Sequence, residues 1–136
     1  MSGRRRILKA SVIILAILFI ILSETAFAQP VLKVEPDKGG FGVSALVTNT
    51  GNESATNISW SMNISGTFLF YGKPVSGMIP TLAPNASAII KTGPIIGLGT
   101  IELDANATCK EGATYDELMV GFVLLFYVVR LREPLP

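Results

Sequence analysis

Residues 55–65, A-T-N-I-S-W-S-M-N-I-S, constrain this chain more than any other stretch. On an extended backbone Ile58, Trp60, Met62 and Ile64 fall on one side, and Asn57, Ser59, Ser61, Asn63 and Ser65 on the other. Successive side chains of a strand point to opposite faces of its sheet, so this strict alternation is the mark of a strand buried on one side only. The apolar side needs a second layer to cover it. The stretch therefore predicts a layered β fold with Ile58, Trp60 and Met62 at its core.

The remaining segments agree. Residues 31–35 read as a short strand stopped by Pro36-Asp37-Lys38-Gly39-Gly40, and residues 41–48 place Phe41, Val43, Ala45 and Val47 on one face. Asn49-Thr50-Gly51-Asn52 is a turn, since Asn and Gly accept left-handed backbone. Residues 67–71, a brief segment at Met78-Ile79, and residues 87–92 follow, with Ala88 and Ile90 inward. Residues 100–109 alternate most cleanly, placing Ile101, Leu103, Ala105, Ala107 and Cys109 inward. A last strand is expected from Thr114 to about Leu131, and the Gly and Pro spacing leaves little room for helix. About seven strands with turn signals roughly every ten residues predict an all-β, immunoglobulin-like antiparallel β-sandwich over residues 29–136. Ile101 and Leu103 join the expected core.

Ahead of it, Arg4-Arg5-Arg6 and Lys9 precede an apolar run at 12–22, and Ala26-Phe27-Ala28 closes the segment. This is the layout of a secretory signal helix over residues 1–28, with cleavage between Ala28 and Gln29. An uncleaved membrane anchor is the alternative. As a helix, residues 10–22 reach roughly 20 Å against a hydrocarbon core of about 30 Å. A cut near Lys9-Ala10, as in pilin-type filament subunits, would instead retain the apolar helix.

The 136 residues hold 11 basic and 10 acidic side chains and no histidine. Without the leader seven basic residues face nine acidic ones, a balance that offers nucleic acid no basic surface. A single cysteine, Cys109, and the lack of histidine remove the common zinc sets, the Ser-His-Asp triad and the Cys-His pair. No catalytic residue, cofactor or metal is nominated: Glu102, Asp104, Asp116 and Glu117 lack the spacing of a calcium loop. Cys109, in phase with Ile101 and Leu103, reads as a buried thiol.

The order of motifs also resembles a family. Val47-Thr48-Asn49-Thr50-Gly51-Asn52 followed by Ala55-Thr56-Asn57-Ile58, then Gly77-Met78-Ile79-Pro80-Thr81-Leu82-Ala83-Pro84, looks like the core of CARDB-type and related immunoglobulin-like modules of archaeal and bacterial surface proteins. The resemblance covers about residues 40–122 and departs at Asn85, where such modules often have Gly. It implies an antiparallel sandwich used as a stalk, adhesion or spacer module.

Function is most legible in the asparagines. Of six, Asn52, Asn57, Asn63, Asn85 and Asn106 begin N-x-S/T sequons and only Asn49 does not. Chance would give about one among six, so the enrichment points to N-glycosylation in an exported protein. Trp60 with Phe70 and Tyr71 could instead form a sugar-stacking platform, which would make a carbohydrate-binding module. The expected location is secreted or at the cell surface, with membrane contact only through an uncleaved N-terminal segment. Residues 118–129 are apolar on both faces, unlike an outer strand. Phe122, Leu125, Phe126 and Tyr127 are therefore expected to form a partner surface, for self-association or for a protein or cell-envelope partner.

Overall fold

In the computed structural model, residues 6, 7, 9, 11–15 and 27–133 are described, the side chains of Arg130 and Leu131 excepted. The first eight of these are helical, and among the described residues no helix is long and apolar enough to cross a membrane. Residues 1–5, 8, 10 and 16–26 of the expected leader, which include 16–22 of its apolar run, lie outside the described residues.

Among the described residues nine strands form two antiparallel sheets in a sandwich-like arrangement. The small sheet runs β1 (Leu32–Lys38), β2 (Ser44–Asn49), β6 (Ser87–Lys91). The large one runs β5 (Val75–Leu82), β3 (Ala55–Gly66), β7 (Ile96–Thr108), β8 (Thr114–Leu125), β9 (Tyr127–Arg132), with β4 (Leu69–Tyr71) also paired to β7. Alternation works as expected where it is longest. Ile58, Met62, Ile101 and Leu103 are fully buried, and so are Val34, Val47, Met119 and Val123. Removing such a side chain from water contributes about 1.5–3 kcal/mol each, enough to define the inner faces. Ala105 and Ala107 on central β7 stand beside the larger Met62 and Trp60 of β3, so small and large side chains alternate across the sheet.

At Asn57 the backbone turns left-handed (φ 46°), opposite Pro80. The β3–β5 register stays unbroken, but the inward set moves by one position on both strands: Ala55 and Leu82 are buried, and three residues further along come Ile58 and Ile79. Asparagine tolerates that conformation better than other side chains. Asn85, standing where glycine was expected, does the same at φ 60°.

Three expectations are corrected. Phe41 does not join the inward set, since β2 begins only at Ser44; it is exposed and stacks on Phe126. Trp60 is half-buried rather than central, its ring lying over Gly77 of edge strand β5, where a glycine offers only backbone as cover. The single C-terminal strand is two, because the chain reverses at Leu125-Phe126 and pairs Leu124 with Tyr127 and Val123 with Val128. That reversal re-sorts the faces: Phe122, Leu124, Tyr127 and Val129 share the outer side, while Val123 and Val128 are buried. Leu125 has φ 58°, a strain of about 1–2 kcal/mol for a residue with a Cβ.

The sandwich closes on one side through glycine. The β1–β2 loop lies so near β9 that a Cβ on Gly39 would stand 2.2 Å from the Val128 carbonyl oxygen, and the Val128 N–H donates to the Gly40 carbonyl at 2.7 Å. The buried hydroxyl of Ser44 settles the bulge at Pro36/Lys38, donating to Asp37 Oδ2 (2.9 Å) and accepting from the Lys38 N–H (3.2 Å).

Candidate functional site

The asparagines divide by environment. Asn49, without a sequon, is completely buried at the end of β2. Its Nδ2 donates to the carbonyls of Glu53 (2.6 Å) and Leu82 (3.0 Å), and its Oδ1 accepts from the N–H groups of Val31 (3.2 Å) and Gly51 (3.0 Å). Every hydrogen-bonding site of the amide is used, so this side chain joins both sheets to the 50–54 loop. Gly51 is required beside it, because a Cβ there would meet the backbone of residues 29–31 at 2.2–2.8 Å.

Asn52, Asn57, Asn63 and Asn85 are exposed, and Asn106 is half-buried. Asn63 and Asn106 lie on the outer face of the large sheet, opposite Asp104 and Ser61 respectively. Asn52 accepts the Gln29 N–H through Oδ1 at 2.9 Å, a bond that engages the oxygen and not Nδ2, the atom that carries a glycan. At Asn106 the Nδ2 itself donates to the Asp116 carboxylate, so modification there would have to displace a charge-assisted bond. Ala28 and Gln29 are both exposed, immediately before the strand that the Asn49 loop pins down.

A contact that the sequence did not single out sits next to these sites. Lys110-Glu111-Gly112 reads as a plain turn, yet the Glu111 carboxylate reaches back to β3, where it accepts the Thr56 hydroxyl and the Thr56 N–H (3.0 Å). The hydroxyl bond first, and the amide bond second, hold its carboxyl down to about 2. A group whose folded pKa is lowered adds stability above its unfolded value and loses it as pH falls through the folded one. This latch is thus in force above about pH 4.5 and released towards pH 2. The Thr56 amide proton shift should titrate with a midpoint near 2, and a midpoint near 4.5 would mean that no latch forms in solution.

The four carboxylates considered for calcium do not gather. Glu102, Asp104 and Asp116 lie along the outer face, whereas Glu117 has the opposite parity on β8 and accepts the Tyr115 hydroxyl at 3.0 Å, raising the tyrosine pKa. Cys109 is buried and free. Trp60, Phe70 and Tyr71 do not share a surface. Trp60 is level with Ala107, and Tyr71 with Ile96, separated along β7 by on the order of 30 Å.

Phe122, Leu125, Phe126 and Tyr127, by contrast, are all exposed, at and next to the β8–β9 turn. Leu98 of β7, Phe68 and Phe70 extend the same apolar end. Fold and surface together define a two-sheet antiparallel β module with sequons towards one end and bulky apolar side chains at the other. Compared with protein-family models, with curated proteins and with solved structures, the chain matches none.

Proposed function

We propose that this chain is an exported, N-glycosylated, non-catalytic module of the cell surface, an immunoglobulin-like spacer or adhesion domain that meets a partner in the envelope. The observation that carries the reading is the sorting of asparagines. The one that lacks a sequon is the one the core consumes, while four of the five sequon asparagines are exposed. A glycan is bulky and needs such positions. The leader pattern, ending one residue before the hydrogen-bonded Gln29, supports export in the same direction. Absence of histidine and a single cysteine argue from composition for a binding rather than a chemical role.

Intact and peptide mass spectrometry on protein from its own host tests this. The expected chain begins at Gln29 and carries glycans on Asn52, Asn57, Asn63 or Asn85, with Asn106 least occupied. A chain beginning near Ser11 with bare asparagines would support a filament subunit that retains its apolar helix, and would remove the proposal.

A further inference from the structure

The end of the sandwich away from Asn49 places large apolar side chains where loop chemistry favours polar ones. Leu125 and Phe126 form a two-residue hairpin turn with positive φ at its first central residue alone, a position for Gly followed by Asn or Ser, and Leu125 sits there with φ 58°. For the turn itself, a strained, exposed leucine is a poorer choice than glycine. Phe126 stacks on Phe41 of the β1–β2 loop, centroids 5.8 Å apart and planes 9° from parallel. Phe41 is 67% exposed and Phe70 of β4 is 72% exposed.

Backbone bonds fix these loops to one another. Ile95 N–H donates to the Phe41 carbonyl (2.8 Å), Leu98 N–H to the Phe68 carbonyl (3.0 Å), and Val128 N–H to the Gly40 carbonyl (2.7 Å). The apolar residues therefore form one pre-ordered tip. Charge is sorted with them. Residues 37–43, 67–74, 91–99 and 124–128 carry Lys38, Lys73 and Lys91 against Asp37 alone, whereas the opposite loops, 49–57 and 108–116, carry Glu53, Glu111 and Asp116 against Lys110.

We infer that this tip binds lipid, inserting Phe41, Phe70, Leu125 and Phe126 into the interface of an anionic bilayer while the three lysines meet its headgroups. A second copy of the chain fits less well. Tip against tip sets lysines against lysines, and tip against the opposite end sets phenylalanines against sequon-bearing polar loops. A bilayer interface supplies both an apolar acceptor and the opposite charge. The inference rests on the exported-module reading for its compartment and adds a membrane contact beyond the N-terminal segment.

The test is flotation of the full chain, its N-terminus fixed by mass spectrometry, with vesicles of phosphatidylcholine alone or of equal parts phosphatidylcholine and phosphatidylglycerol. Expected is binding to the mixed vesicles that weakens with salt. Leu125→Gly/Phe126→Asn should lower the partition coefficient at least about tenfold while leaving Tm equal or higher, because the turn loses its strain at residue 125. Phe70→Ser, on a different strand, should lower it as well. Wild-type protein that stays off the mixed vesicles would overturn the inference. So would unchanged binding of both variants, or a wild-type dimer in sedimentation that the variants convert to monomer without any vesicle binding. None of these bears on leader cleavage or sequon occupancy, which the mass spectra read separately.

Discussion

Asn49→Ala should cost about 3 kcal/mol of stability, and lower Tm by on the order of 15 °C. Asn49 is fully buried and bonded four ways, to Val31, Gly51, Glu53 and Leu82. Truncation leaves the buried Leu82 carbonyl and the partly buried Val31 N–H without their partner, and an orphaned buried group costs more than the bond itself gained. The damage is not local, because Val31 leads into β1 of the small sheet while Leu82 ends β5 of the large one. Asn49→Asp should be worse at neutral pH. Its carboxylate would turn an acceptor towards the Glu53 and Leu82 carbonyls and bury a charge. Urea and thermal unfolding measure both, and a loss under about 1 kcal/mol for the alanine variant would mean that the amide does not clamp the sheets.

Gly39→Ala is expected to cost about 2 kcal/mol. Its new Cβ would lie 2.2 Å from the Val128 oxygen and 3.0 Å from the carbonyl carbon, both backbone atoms that no rotamer change can move aside. The β1–β2 loop must withdraw from β9, and the bond from Val128 N–H to the Gly40 carbonyl goes with it. Gly93→Ala is the matched comparison. Nothing stands within 4 Å of its Cβ position, and its stability should change by less than about 0.5 kcal/mol. Equal behaviour of the two variants in chemical denaturation would show that the sandwich does not close through Gly39.

Much of the inner surface was legible because side-chain period reports which way a strand faces. Ile58, Met62, Ile101 and Leu103 are buried as their spacing requires, and the inward phase of Cys109 holds. Trp60 follows the same period yet remains half-buried, since alternation gives a direction and not the amount of material waiting there. What waits is Gly77 of an edge strand. Strand count failed at the C-terminus for a related reason. Leu125-Phe126 carries no turn residue, so an unbroken apolar run was the natural reading of residues that fold back on themselves.

By itself, the sequence determined the two-layer β character, the inward faces of β3 and β7, and which asparagines begin a sequon, because each depends on local period or on a three-residue motif. Tertiary structure alone decided the rest. Asn49 and Glu111 acquire their roles from partners across the fold, Val31 and Leu82 for one and Thr56 for the other. Phe41 meets Phe126 from 85 residues away. Such contacts depend on how strands that are distant in sequence are brought together, and no local pattern encodes that.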